Sequence, residues 1–411
     1  MNLYSSISTM EPHYPDDRSG ELDRLAELLI RKASALGDAM HPITRAAMAE
    51  LVRPMNSYYS NLIEGHDTHP IDIERALRED FAINDKKKRN LQLEAKAHIT
   101  LHRFISELFL KNPKAESPAS SEYLKRLHAD FYVHLPNEFK RVVSAEGTVR
   151  TVVPGEFRDC GVKVGQHTAP AHNAMPDFMV RFNTVYDPNA PTNRLLTRRI
   201  VNIAAAHHRL VWIHPFLDGN GRVVRLFSDA CFMYEQLDAA GLWSISRGLA
   251  RSKDTYHRML AAADSPRQGD HDGRGNLSNA QLVAFCKYFL ETAIDQIDFM
   301  HHSFQLDGIL KRLDAYAHRG VSKGILRAEA RYVLQEVFLR GSITKPDAER
   351  LMNLSDKTAK LVTDSLIQLR LLKPQKEGKI MRFYASYPIS ISPWILPNLY
   401  PDAKEAEMMS L

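Results

Sequence analysis

Residues 214–225, His-Pro-Phe-Leu-Asp-Gly-Asn-Gly-Arg-Val-Val-Arg, divide two strongly apolar segments, Leu195 to Trp212 and Val223 to Leu237. Both segments are patterned as helices, and the residues between them can continue neither. Pro215 fixes a turn, and Gly219-Asn220-Gly221 allows unusual backbone angles. The chain must therefore end one apolar helix and start another, near Arg222, across a short polar turn.

That turn carries chemistry. Successive N–H groups in such a turn form a concave anion site. The following helix adds free N–H groups and the positive end of its dipole. Arg222 and Arg225 are three apart and project from one face of the first turn. Cations there are electrostatically misplaced unless an anion is present, so the pair predicts a polyphosphate, which guanidinium groups bind bidentately. Asp218 beside phosphates predicts a hard cation, Mg²⁺ or Mn²⁺. His214, with an ordinary imidazole pKa near ~6.5, can deprotonate a hydroxyl. Together these parts predict attack of a hydroxyl on phosphorus. A zinc hydrolase using His207, His208, His214 and Asp218 is a weaker reading. Tandem histidines point two ways on a helix, and the arginines would be unexplained. His207 and His208 read better as helix-face residues supporting the site.

The chain of 411 residues predicts two or three domains. Hydrophobic content of 44% and charged content of 25%, with no long apolar run, predict a soluble protein with no membrane partner. Cys160, Cys231 and Cys286 fit neither a disulfide framework nor a zinc site, which predicts a reducing, cytoplasmic setting. The net charge of +5 is too mild to imply nucleic acid by itself. Residues 1–20 read as a floppy leader without signal-peptide features.

The periodicity predicts a mainly α fold. Helices are expected from Glu21, around Pro42 and Pro54 as short pieces, over Asp72 to Asp80, Asn90 to Leu110 and Glu122 to Leu135, and from Leu277 to about His301. Residues 85–89, Asp-Lys-Lys-Lys-Arg, read as a solvated charge run between two of them. Between 145 and 165, Thr148, Val149, Thr151, Val152, Val153, Val162 and Val164, bounded by Gly147, Pro154, Gly155, Gly161 and Gly165, predict strands or a hairpin. Residues 265–276 read as a loop. Leu326 to Arg340, a short helix capped by Thr344, a second capped by Ser355, and extended pieces at Leu371 to Pro374 and Ile380 to Tyr384 give the order of a winged helix-turn-helix. Residues 325–385 hold twelve Lys/Arg against seven Asp/Glu, a modest footprint for DNA. Protein contact or dimer formation through this module remains an equal use.

The stretch 214–225 matches the Fic family signature, His-Pro-Phe-x-Asp/Glu-Gly-Asn-Gly-Arg-x-x-Arg, at every defined position. Residues 204–213 resemble the family's preceding helix. Gly155 to Arg158, Val162 to Gly165 and Pro170 resemble its target-docking flap. The resemblance covers roughly residues 45–300. It implies a Fic helical core with a small β-hairpin flap and transfer of AMP from ATP to a Ser, Thr or Tyr hydroxyl of a protein. By that resemblance His214 is the base and Asp218 the metal ligand. Gly219, Asn220 and Gly221 form the phosphate cradle, and Arg222 and Arg225 hold the outer phosphates. Gly221 matches AMP transferases, where phosphorylating relatives carry Lys. The flap residues Arg158, Val162 and Val164 would pair with a target segment by β-addition. Tyr256 resembles an aromatic lining the base pocket, a core tyrosine being the equal alternative.

Ser60 and Glu64 are four apart on one helix face, and Gly65 is a natural stop. Glu64 then lies in a last turn whose dipole disfavours a carboxylate and would gain from a cation. The segment resembles the family's inhibitory motif, Ser/Thr-x-x-x-Glu-Gly/Asn, which implies that Glu64 pairs with Arg225 and blocks the γ-phosphate position. Removal of AMP from a modified target, with Glu64 orienting water, is a related expectation. The domains expected are an N-terminal helical region with the inhibitory helix (1–110), a Fic catalytic core (111–305) and a winged helix-turn-helix (320–390). A nucleotide-sensing transcription regulator is the alternative function, and a homodimer is an open partner.

Overall fold

The computed structural model describes residues 4–143 and 148–399. Leader residues 1–3 and the start of the expected extended region, 145–147 with Gly147, lie outside the described residues. Helices dominate. The N-terminal third holds α1 (Glu21–Gly37), α2 (Pro42–Ile63), α3 (Pro70–Leu77) and α4 (Lys86–Lys111), followed by α5 (Ser121–Val133). Two small hairpins come next: β1 (Arg141–Val143) pairs with β2 (Val149–Thr151), and β3 (Lys163–Val164) with β4 (His167–Thr168), both antiparallel. Then follow α6 (Met175–Tyr186), α7 (Leu196–Ile213), α8 (Asn220–Tyr234), α9 (Ile245–Arg251), α10 (Lys253–Ala263), α11 (Asn279–Ser303) and α12 (Leu306–Ser322).

Helix α7 is the axis of the core. Ile200, Val201, Ala204, Ala205 and Ile213 are fully buried. Residues 200–210 of α7 are all buried, so this stretch has to be surrounded, and it is, by α1, α6, α8 and α11. The C-terminal part contains α13 (Ala330–Arg340), β5 (Ser342–Thr344), α14 (Lys345–Met352), α15 (Asp356–Gln368), β6 (Leu372–Glu377) and β7 (Ile380–Ala385). Its sheet has the order β5-β7-β6, with both pairs antiparallel. Strand β5 escaped the sequence reading because it is three residues long and lacks alternation. Thr344 caps α14 through Asp347 N–H, whereas Ser355 sits at the start of α15 without a side-chain cap. Helix α12, which joins this part to the core, was also not foreseen.

Four expectations are corrected. Pro42 and Pro54 do not delimit short helices: Pro42 is the first residue of a 22-residue helix and Pro54 lies inside it. The proline removes one ladder bond, but residues 51–61 are all buried, and that packing outweighs the loss. Lys86 to Arg89 are not a linker but the first turn of α4, where Asp85 accepts the Lys88 N–H at 2.9 Å. Strand β2 pairs upstream with β1 rather than with the valines at 162–164. Residues 4–20 are packed rather than floppy. Met10 is fully buried, Tyr4 meets Trp212 edge-on at 5.2 Å, and the Pro12 carbonyl accepts from Arg209 at 2.8 Å.

Candidate functional site

The turn between α7 and α8 builds the site. His214 ends α7 in the left-handed region (φ 50°, ψ 61°), which is uncommon for a residue with a side chain. Arg158 holds it there. This residue is 4% exposed, and its backbone N–H donates to the Pro215 carbonyl at 2.9 Å. Its guanidinium donates to the carbonyls of His214 (2.7 Å), Cys160 (2.7 Å) and Pro170 (2.6 Å). Asn220 staples the loop from within, accepting from Phe216 N–H at 2.9 Å and donating to Phe216 O at 2.8 Å. Gly219 begins α8 at φ 80°, and a Cβ there would lie 2.9 Å from the Tyr132 ring. Phe216, fully buried, stacks on His128 at 4.1 Å. Gly155 N–H donates to His128 Nδ1 at 2.8 Å, so the proton sits on Nε2, which donates to the Asp218 carbonyl at 3.2 Å. Burial pushes the His128 pKa down to about 4, so this ring is a neutral strut.

The electrostatics follow from these positions. Burial lowers the His214 pKa, Arg158 and His167 add to it, and the value falls to about 4. The imidazole is therefore unprotonated at neutral pH and able to accept a proton. Asp218 is 44% exposed and accepts the Tyr132 hydroxyl at 2.9 Å. A single half-open carboxylate suits a cation that takes its other ligands from phosphate and water. Among the described residues no group of three or more His, Cys, Asp or Glu could hold a metal alone. The zinc alternative also fails on the ring nitrogens, since His207 is committed to Ser228 and Tyr256, both at 2.7 Å.

Helix α8 starts at Asn220, two residues before the expected Arg222, which puts both arginines in its first two turns. Arg225 is 1% exposed. It donates from Nε to Ser60 Oγ (2.9 Å) and from Nη2 to Ser60 O (3.0 Å) and Glu64 Oε1 (2.6 Å). Burial pushes the Glu64 carboxyl up, but Arg225 and Arg222 outweigh it, and the group is held below its usual range. Glu64 caps the C-terminal end of α2, with a third of its side chain open to solvent. A Cβ on Gly221 would collide with Glu64 Oε1, so a side chain here would have to displace the Glu64 carboxylate. Arg222 pairs with Glu94 of α4, lies 5.0 Å from the Phe131 ring and stands 3.6 Å from Asp218.

Some expected site residues lie elsewhere. Arg158 is 4% exposed, its donors are directed at the carbonyls of His214, Cys160 and Pro170, and burial lowers its pKa to about 10. Tyr256 is 2% exposed and its hydroxyl lies 2.7 Å from His207 Nε2, the setting of a core tyrosine. Val162 is half-buried and its carbonyl accepts from Ala169 N–H, while Val164 is 46% exposed on β3. That hairpin is pinned beside His214, because His167 Nε2 lies 2.7 Å from the Trp212 carbonyl. Glu94, Tyr132 and His128 were missed. Apolar neighbours on both sides of Glu94 were not a signal that could have found it.

Residues 118–231 match the model of the Fic/DOC family. The chain is 40% identical over 88 residues to the protein adenylyltransferase Fic of Drosophila erecta, a match covering 21% of this chain and 17% of that relative. It thus spans less than a fifth of the length of the curated relatives it matches. A solved Fic family protein from Desulfovibrio desulfuricans G20 superposes with a TM-score of 0.51 at 14% identity, over 91% of this chain and 98% of that one. A Fic domain containing signaling protein from Bacteroides thetaiotaomicron gives 0.51 at 18% identity, over 67% and 95%. These two show a shared fold.

Proposed function

We propose, on the premise of the Fic domain that this chain carries at residues 118–231, that it is a self-restrained protein adenylyltransferase. One observation carries the reading: an unprotonated His214, the open Asp218 carboxylate and two arginines at the start of α8 converge, and a carboxylate from α2 is bonded to one of those arginines. The chemistry is a displacement at the α-phosphorus of ATP. The oxygen of a Ser, Thr or Tyr hydroxyl bonds to phosphorus as the bond to the bridging oxygen breaks, pyrophosphate leaves, and His214 takes the hydroxyl proton. Mg²⁺ or Mn²⁺ held by Asp218 would neutralise phosphate charge. Arg222, Arg225 and the first N–H groups of α8 hold the outer phosphates. The exposed edge of β3 offers a target segment a strand to pair with.

Glu64 is the restraint. Its carboxylate lies over Gly221 and occupies Arg225, so the outermost phosphate has neither the space nor the cation it needs. The test is labelling with α-phosphate-labelled ATP. Self-labelling is expected to rise in Glu64→Gly and to vanish in His214→Ala. Label persisting in His214→Ala removes the base assignment, and equal labelling of wild type and Glu64→Gly removes the restraint. Removal of AMP by the same site is tested on a pre-modified target, where loss in wild type and retention in Glu64→Ala is the supporting result.

A second reading rests on the C-terminal part, which we read as a winged helix. Lys357 and Lys360 on α15 and Lys373, Lys376 and Lys379 on β6 and its turn are exposed. Such a face suits a DNA backbone, and the protein would then be a nucleotide-sensing regulator. A mobility shift that weakens steeply with salt and is indifferent to His214→Ala supports this reading.

A further inference from the structure

Helix α4 contributes a carboxylate to the site from 128 positions upstream of the arginine it touches. Glu94 is fully buried. One of its oxygens pairs with Arg222 Nη1, and the other lies 2.7 Å from His66 Nδ1 on the turn that follows Glu64 and Gly65. Burying a carboxylate completely is costly without partners of this kind. Arg222 is itself 6% exposed, and among the described residues its Nε has no hydrogen-bond partner. The guanidinium is therefore oriented by Glu94 at one edge and by the Phe131 ring, which leaves Nη2 facing Asp218 at 3.6 Å.

We propose that Glu94 is a positioning residue: by binding Nη1 it keeps the Arg222–Asp218 ion pair long, at 3.6 Å, so that Arg222 stays available to phosphate and Asp218 to a cation. Asp218 is the next carboxylate within reach of the Arg222 guanidinium, already within ion-pair distance of Nη2. Without Glu94 the buried cation turns to it, and the arginine and the aspartate neutralise each other. The two acidic partners of the arginine pair thus differ in kind. Glu64 sits at a helix end with a third of its side chain open and can leave, whereas Glu94 is enclosed in mid-helix and cannot. A fixed carboxylate inside the cleft orients the cation, and a movable one at its rim competes for it.

The inference rests on the cleft being an ATP site, and the experiment separates the two. Binding of ATP with Mg²⁺ is measured by titration calorimetry on full-length Glu64→Gly protein, alone and with Glu94→Ala, Arg222→Ala or both. Glu94→Ala is expected to weaken binding about tenfold, the scale of a lost charge-assisted contact. It is expected to have no further effect once Arg222 is alanine. Removing both charges also avoids a stranded buried ion. Where Glu94→Ala does not fold, Glu94→Gln, which keeps an acceptor for Arg222, is expected to weaken binding by a smaller factor. Unchanged or tighter binding in the Glu94 variants overturns the proposal. So does an equal loss with and without Arg222, which is the mark of a merely structural role. No binding by the Glu64→Gly parent overturns the ATP site itself.

Discussion

Single residues decide whether the turn at 214–218 holds its shape. His214 keeps a left-handed backbone because the Arg158 guanidinium and N–H together bind the carbonyls of His214 and Pro215. Replacing Arg158 with Leu removes the donor from three carbonyls, that of Pro170 buried and those of His214 and Cys160 part-buried, a loss of about 2–3 kcal/mol. Arg158→Leu is expected to lower the urea midpoint and to cut self-labelling in a Glu64→Gly background at least tenfold. Lys should not restore it, because one ammonium cannot reproduce the fork of bonds. The sequence made His214, Asp218, Arg222 and Arg225 readable because their chemistry lies within twelve consecutive positions. It hid the roles of Arg158 and Glu94, whose partners lie 56 and 128 positions away. Nothing in local spacing announces such a contact, and the flap resemblance did not point to the carbonyls that Arg158 binds.

At the scale of elements, α2 does what its last turn implied. Ser60 and Glu64 share a face, and both meet Arg225. The proposed restraint would thus be distributed over one helical turn. Ser60→Ala removes the bond to Arg225 Nε but spares the bonds to Ser60 O and Glu64. It is expected to cost about 1–2 kcal/mol and to raise self-labelling above wild type but below Glu64→Gly. Labelling no higher than wild type would leave Glu64 as sole restraint. Element ends were the least readable part of the fold. Helix α8 begins at the second residue of the Gly-Asn-Gly turn because Asn220 folds back on Phe216, a bond that no propensity encodes. Pro54 misled in the opposite sense, since burial on all sides of α2 overrides the local breaker.

The whole molecule carries an unusual load of buried neutral imidazoles. Burial drives the pKa of His13 down to about 3 and those of His128 and His214 to about 4, and it lowers those of His98, His207 and His208. Below the ordinary value of ~6.5 the unfolded chain takes up protons that the folded chain refuses. Stability should therefore fall as pH drops from about 6.5 toward 4, by up to about 1.4 kcal/mol per pH unit for each such histidine. His66, raised by its bond to Glu94, works in the other direction: its contribution is present at low pH and is lost as pH climbs through its folded value. With His257, whose pKa burial also lowers, seven histidines against one predict a steep acid limb, which urea midpoints at about pH 7 and about pH 5 would show; a flat profile would contradict it. The same scale joins the two ends of the chain. Thr44 donates to the Phe338 carbonyl at 2.6 Å, a Cβ on Gly341 (φ 74°) would press on Ile43, and Tyr59 donates to the Leu399 carbonyl at 2.9 Å. Gly341→Val is expected to strain this seam and to raise self-labelling without touching the cleft. Helix α2 then acts as a lever. It is about 30 Å from Thr44 to Glu64 at 1.5 Å per residue, gripped at the near end by the C-terminal part and wedged at the far end between Arg225 and Gly221. If Glu64 is the restraint we propose, whatever tilts the grip is expected to reset the throttle at the other end.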